Sequence, residues 1–413
     1  MSEWRLRSKV FLASIVLGAI VVTALVAMGP RYVGGAFDGP PESLGEISDG
    51  AKALMASAYA DLDVNKLHDY HTHVVGLGAG GTGAEVNPHM LSWANPIARL
   101  KFDVYLSASG VSELAVADQR FVERLVKLVH NSPHPMTHHI FGFDRYYRVD
   151  GTTNAERTEF YVPNEYVLDL AEQHDNFEAV ASVHPYKQGA AAELEALAKR
   201  GVRFVKWLPN AQGIDPSHEK CDPYYDVMKR YDMTLISHAG EEQAVKAEED
   251  QKLGNPLLLR RALDKGVRVV VAHCASLGES EDLDNPGEMA TAFELFMRLM
   301  ENPKYKENLY GEISAVTQFN RLGDPLNTLL KRVDLHPRLV NGSDYPLPAI
   351  NVLVSTMRLE QTGLITAEER SYLNEIYARN PLLFDFVTKR TLRHPETGTG
   401  FSPSVFEKRF YLK

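Results

Sequence analysis

His71 and His73 stand one residue apart in Leu67-His68-Asp69-Tyr70-His71-Thr72-His73-Val74, at the end of a short apolar run. Side chains of an extended strand alternate with period two, so both imidazoles face the same side. Two neutral imidazoles converging from one strand end supply half of a transition-metal site. Four more candidates close later apolar runs: Lys206 in V-K-W-L-P, His238 in S-H-A-G, His273 in A-H-C-A-S and Asp344 in N-G-S-D-Y-P. Taken singly, each histidine fits a hydrogen-bonded core position, and Asp344 fits a turn or a helix N-cap. Taken together they form a metal-binding set, provided the fold brings these strand ends to one place.

The elements that must do so read as a repeat of strand then helix. Apolar runs with few charges occur at 67–74, 102–107, 179–183, 202–208, 234–237, 267–272, 310–315 and 338–341. Their continuous hydrophobicity suits parallel strands covered on both faces. Helical patterns lie between most of them, at 190–199, 223–231, 256–263 and 288–301, with Gly201 and Gly266 placed as C-caps. Eight such strands predict a (β/α)₈ TIM barrel, with a doubly wound sheet as the alternative. Lys206 then closes the fourth strand, His238 the fifth, His273 the sixth and Asp344 the eighth. All six groups fall at C-terminal strand ends, the face where barrel enzymes keep their chemistry.

The longest irregular piece, 111–161, is expected as an insertion between strands 2 and 3 that caps the barrel mouth. Arg145 and Tyr146 within it, and Trp207 and Glu241 beside the strand ends, are the candidate substrate contacts. Glu312, Gln318 and Arg321 after the seventh strand read as loop-stabilising residues, and His184 as a hydrogen-bonded structural one. The G-A-G-G-T-G at 78–83 has no acidic partner at the spacing of a dinucleotide site and reads as a loop. Asn341-Gly342-Ser343 spells a glycosylation sequon but lies at a buried strand end.

The 413 residues carry 44% hydrophobic and 24% charged residues, the balance of a globular chain, and a formal net charge of −10 argues against nucleic acid. Residues 10–28 contain no charge and follow Arg5, Arg7 and Lys9. That length can cross a bilayer as a helix. We expect a signal anchor, with 1–9 cytoplasmic and the body outside the cytoplasm, and secretion after signal cleavage as the alternative. A Gly/Pro-rich linker at 29–50, a barrel at 51–390 and a tail at 391–413 complete the expected organisation. Helices are expected at 349–362 and 367–379, the second capped by Thr366. Cys221 and Cys274 are expected as unpaired thiols. Composition does not fix the oligomeric state, and a homodimer stays open.

The ordered set of H-x-H, Lys206, His238, His273 and Asp344 resembles that of the amidohydrolase superfamily. It is most similar to the amidohydrolase-related branch that includes aminocarboxymuconate-semialdehyde decarboxylase, over residues 67–387. The resemblance implies that His71, His73, His238 and Asp344 bind a divalent metal, zinc by first choice. It makes His273 a catalytic group, or a ligand if two metals are bound. It leaves Lys206 either a carboxylated bridge between two metals or an ammonium that orients substrate. A zinc-bound water of pKa about 7 is the implied nucleophile, with Asp344 as general base and His273 polarising a carbonyl or sharing the proton transfer. The expected function is hydrolysis of an amide, lactone, ester or cyclic imide in a small-molecule substrate. Decarboxylation of an aromatic or unsaturated acid is the alternative, and a non-catalytic membrane-tethered binding protein the third.

Overall fold

The computed structural model describes residues 26, 28–35 and 41–411. Eight parallel strands run round a barrel in chain order: β1 (His68–His73), β2 (Thr137–Phe141), β3 (Phe177–Ala181), β4 (Phe204–Trp207), β5 (Thr234–His238), β6 (Arg268–Ala272), β7 (Leu309–Glu312) and β8 (Leu339–Val340). The last strand meets the first through Tyr70 N–H to the Asn341 carbonyl at 2.9 Å and Asp344 N–H to the His71 carbonyl at 2.7 Å. Thr72 and Tyr345 add a parallel bridge. Sequential order without a reversal excludes the doubly wound alternative.

One irregularity matters for the site. In β1 the register against β2 shifts between Asp69 and Thr72. An extra residue in one strand re-aims the side chains that follow it. Tyr70 therefore packs inward with His139 and Phe204, and the next residue, His71, also faces inward, over Phe141. Asp69 and Thr72 point out of the barrel instead, both toward His138.

The second strand is not where the sequence suggested. Residues 102–107 belong to helix α2 (Pro96–Ala108), which follows α1 (Asp49–Tyr59). The apolar run there is one face of a helix, with Arg99, Lys101 and Asp103 on the turns between. The true second strand reads Thr-His-His-Ile-Phe, and its two histidines hide the hydrophobic signal. The long insertion thus lies between strands 1 and 2, at 74–136, and carries α2 and α3 (Ala117–His130). It is α2, not 111–161 as a whole, that caps the barrel mouth.

Other elements match more closely. Helix α4 (Ala190–Lys199) has the expected bounds. Helix α5 (Ala292–Glu301) starts at a Thr291–Glu294 capping box, and α6 (Ala367–Tyr377) at the expected Thr366, boxed with Glu369. The 349–362 helix shrinks to Thr356–Gln361. Helix α7 (Pro381–Thr391) is buried along almost its whole length. Both cysteines are buried free thiols. The glycine-rich loop is held by Asp118 of α3, which accepts from Leu77 N–H at 2.6 Å and Gly78 N–H at 3.1 Å.

The tail plugs the N-terminal mouth of the barrel. The Tyr70 hydroxyl donates to the Lys408 carbonyl at 2.8 Å, Phe410 packs edge-on against Tyr70, Phe204 and Tyr310, and the Tyr411 hydroxyl donates to the Asp232 carbonyl at 2.6 Å.

The expected membrane segment, 10–28, lies outside the described residues except for Val26 and Met28. Among the described residues no helix is long and apolar enough to cross a membrane. Residues 28–35 pack beside α2: Asn351 N–H donates to the Val33 carbonyl at 2.8 Å, and Val33 joins Val104, Ala108 and Ile350 in one apolar cluster.

Candidate metal centre and the cavity above it

The two histidines of β1 and the aspartate after β8 converge on one point. His71 Nε2 lies 3.3 Å from His73 Nε2 and 3.3 Å from Asp344 Oδ1, and His73 Nε2 lies 3.2 Å from the same oxygen. Tetrahedral ligands bound at about 2.0–2.1 Å sit about 3.3 Å from one another, so the spacing fits a small divalent cation. Lys206 Nζ stands 3.3 Å from His71 Nε2 and 4.8 Å from the centroid of the Phe141 ring.

Protonation supports the same fit. His71 Nδ1 donates to Glu312 Oε2 at 2.8 Å, which leaves Nε2 with a bare lone pair. Burial, with Lys206 nearby, holds His71 neutral by lowering its pKa far below the ordinary value. Burial does the same to His273, with Arg321 adding to the effect, and lowers His238 to about 3. Neutral imidazoles are the form that binds metal. Burial also lowers the Lys206 ammonium to about 8, against the pull of Asp344 and Glu312.

Glu312 organises the interior. Burial raises its pKa to about 7, while four donors favour its anion: His71 Nδ1, the Ser314 backbone N–H, the Ser314 hydroxyl at 2.7 Å and His273 N–H at 3.4 Å. The Ser314 hydroxyl, spent on Glu312, accepts from His273 Nδ1 at 2.7 Å. His273 Nε2 is thereby left facing Asp344 Oδ2 at 3.9 Å. On the outer side, Asp69 accepts from His71 N–H at 3.0 Å and Ser343 N–H at 2.9 Å, tying β1 to the β8 loop. Burial pushes Asp69 upward, but His138 and these donors prevail and hold it at about 2.

The backbone is strained where these side chains sit. His273 has φ 55° and Asp344 φ 64°, left-handed values that non-glycine residues rarely adopt. Such strain clusters at functional sites.

His238 lies at the end of β5 as expected, but neither compact group of ligand atoms includes it: one is His71, His73 and Asp344, the other His71, His273 and Glu312. Neither buried ring nitrogen makes a well-formed hydrogen bond; the Gly240 backbone lies close enough to oppose slightly the loss of the ring's proton, and Glu242 Oε2 is 3.5 Å from Nδ1. Buried imidazole nitrogens with so few partners of their own beside the centre fit a metal ligand.

Above the floor opens a cavity of about 1060 Å³ counted to its mouth. Phe102, Tyr105 and Leu106 of α2 line it together with Phe121, Phe143 and Phe160. None of the four expected substrate contacts lines it. Trp207, one residue after the inward Lys206, points outward by strand alternation: it is fully buried against Tyr224 and Tyr225 and donates to the Val183 carbonyl at 3.2 Å. Glu241 lies against Gly278 and accepts from Gln243, while its neighbour Glu242 faces the cavity. Arg145 is spent on Glu85 at 2.6 Å and on the Tyr161 ring, and Tyr146 on Asp250 at 2.9 Å. His184 has the structural role expected, donating to the Gln212 carbonyl at 2.8 Å. The sequence missed Glu312, Asp69 and the α2 wall. Glu312 carried a signal, since it ends an inward-facing strand on the same rim as the other six groups.

A (β/α)₈ barrel with histidines and an aspartate converging at its C-terminal rim is the scaffold of a metal-dependent enzyme. The family model described as amidohydrolase matches residues 69–349, and the chain belongs to that family. No curated protein matches it. Similar solved structures include an uncharacterized TIM-barrel protein from Bordetella bronchiseptica, 14% identical over 75% of this chain and 99% of that one, TM-score 0.47. 5-Carboxyvanillate decarboxylase from Sphingomonas paucimobilis is 11% identical over 76% and 96%, TM-score 0.39. N-isopropylammelide isopropylaminohydrolase from Burkholderia multivorans is 14% identical over 83% and 77%, TM-score 0.38.

Proposed function

We propose that the protein is a metal-dependent hydrolase that opens a carbonyl-centred bond (amide, lactone, ester or cyclic imide) in an apolar substrate. The observation that carries this is the convergence of His71 Nε2, His73 Nε2 and Asp344 Oδ1 within 3.3 Å of one another on the cavity floor. These groups, with His238, would hold a divalent cation, zinc by the chemistry of the donors; Lys206 and His273 stand ready to share a second. When bound, the cation supplies Lewis acidity and acidifies water. Glu312 keeps His71 in the tautomer and orientation that ligation needs. Asp344 acts as general base, and the bare His273 Nε2 shares the proton on its way to the leaving atom. The α2 wall excludes water from the reacting bond.

Hydrolysis is favoured over decarboxylation by the lining. The wall is aromatic and aliphatic and suits an apolar substrate, while a carboxylate held off the metal would find only Lys206 as a cationic partner among the described lining residues, and Lys206 already stands against His71. The uncharged 10–28 run behind three cations supports a membrane tether with the barrel outside the cytoplasm.

The test is metal content with product analysis on the full chain. One or two equivalents of zinc, lost together with ester or lactone turnover in His71→Ala, support the proposal. Carbon dioxide evolved from an aromatic acid without hydrolysis moves the protein to the carbon–carbon lyases. A metal-free protein indifferent to His71→Ala ends the enzyme proposal.

A further inference from the structure

We propose that the cavity is filled from a lipid phase: its mouth sits against the bilayer that residues 10–28 enter, and the substrate is a bilayer-soluble carbonyl compound such as a long-chain ester or lactone. The bond broken rests on the hydrolase proposal; the docking of the mouth on a membrane rests on the observations that follow.

The first is where the uncharged run meets the barrel. Val33 packs in one cluster with Tyr105 and Leu347, both of which line the cavity. Gly34 lies so close to α2 that a Cβ there would come within 2.6 Å of the Ser107 Cβ. The backbone is helical from 28 to 33, so Met28, the last residue of the run, is about 8 Å along the axis from Val33. A bilayer reached at Met28 is therefore adjacent to the α2 wall.

The second is the surface around that point. Met28 and Tyr32 are 69% and 70% exposed, Trp93 and Ile97 56% and 82%, Val352 and Met357 49% and 54%. Tyr32, Ile97 and Val352 belong to segments that meet at the Val33 cluster, and Trp93 and Met357 lie four and five residues further along two of them. Ile97 is two helical turns from Val104 on the same face of α2, and Val352 follows Asn351, which is bonded to Val33. Large exposed apolar side chains carried by segments that meet are the mark of a contact surface, and Trp and Tyr are the residues that favour a bilayer interface.

The third is the cavity itself, whose wall of aromatic and aliphatic side chains continues the rim inward. Among the described lining residues the charged side chains are Lys206, Glu242 and Asp344, with the histidines at or beside the floor, so the wall a lipophilic molecule would follow to them is uncharged.

The test uses the full chain reconstituted in phosphatidylcholine vesicles with brominated acyl chains, in a Trp4→Phe background. Of the two remaining tryptophans, Trp207 is fully buried, so quenching reports on Trp93. Quenching that vanishes in Trp93→Phe is expected; no quenching overturns the proposal. Ile97→Glu with Met357→Glu should lower turnover of a vesicle-borne ester about tenfold and leave a short-chain, water-soluble ester unaffected. Quenching without turnover of any ester leaves the docking standing and removes the hydrolase proposal; turnover without quenching does the reverse. Lipid-independent self-association that Ile97→Glu abolishes would assign the rim to a second copy and overturn the lipid route.

Discussion

His71 Nδ1 and Glu312 Oε2 lie 2.8 Å apart with both side chains wholly buried. The carboxylate fixes the tautomer that leaves His71 Nε2 bare, so its role is read in metal affinity before it is read in rate. Glu312→Gln should weaken zinc binding by about 10–100-fold, measured by competition with a chromophoric chelator, and turnover should recover in part at saturating zinc.

Gly342 occupies a place that no side chain fits. A Cβ there would lie 2.5 Å from Glu312 Oε1 and 2.7 Å from the His71 Cβ. Gly342→Ala should cost about 1–3 kcal/mol in thermal unfolding and lower bound metal, because the atoms displaced are those that aim His71. The surface change Gly45→Ala, where a Cβ meets nothing within 4 Å and the backbone is not left-handed, controls for the loss of backbone freedom, since only the space differs in kind between the two sites.

At the opposite end, Phe410 closes the barrel floor against Tyr70 and Phe204 without touching a proposed ligand. Phe410→Ala should lower stability by about 2 kcal/mol, seen in denaturant unfolding, with metal content and the Michaelis constant unchanged. A change in metal content would mean that the plug and the ligand layer are coupled through β1.

His184 is buried between the Gln212 carbonyl and the Tyr186 N–H, and burial lowers its pKa to about 3 from an ordinary 6.5. The unfolded chain therefore binds a proton in a window where the folded one does not. Stability attributable to this group is complete above about pH 6.5 and is lost as pH falls toward 3. His184→Asn, which can still donate to the carbonyl, should flatten the acid limb of melting temperature against pH across that window and leave the neutral-pH plateau only slightly lowered.

Most of the metal centre was legible because its signals are local. His71 and His73 share a strand face through the period of two, and Lys206, His238, His273 and Asp344 each end an apolar run that had to be a buried strand. The second strand was not legible: His138 and His139 break its hydrophobic run, and the helical face of Phe102, Tyr105 and Leu106 imitates one. Trp207 faces away from the cavity because β4, unlike β1, pairs with its neighbour in unbroken register, so the residue after the inward Lys206 points outward.

The sequence by itself determined the strand–helix repeat, the family and the order of the candidate metal-binding groups, since hydrophobic periodicity and residue type at strand ends are written along the chain; closure of the barrel was decided by the pairing of its first and last strands. Tertiary structure alone decided that Glu312 holds His71, that Gly342 must be glycine, that Glu242 and not Glu241 faces the cavity, and that α2 forms its wall. Those relations join residues tens to hundreds of positions apart, and no local pattern encodes a distance across the barrel. The register shift in β1 makes the point within a single element: Tyr70 and His71 both face inward, which the alternation of an ideal strand forbids and the pairing with β2 imposes.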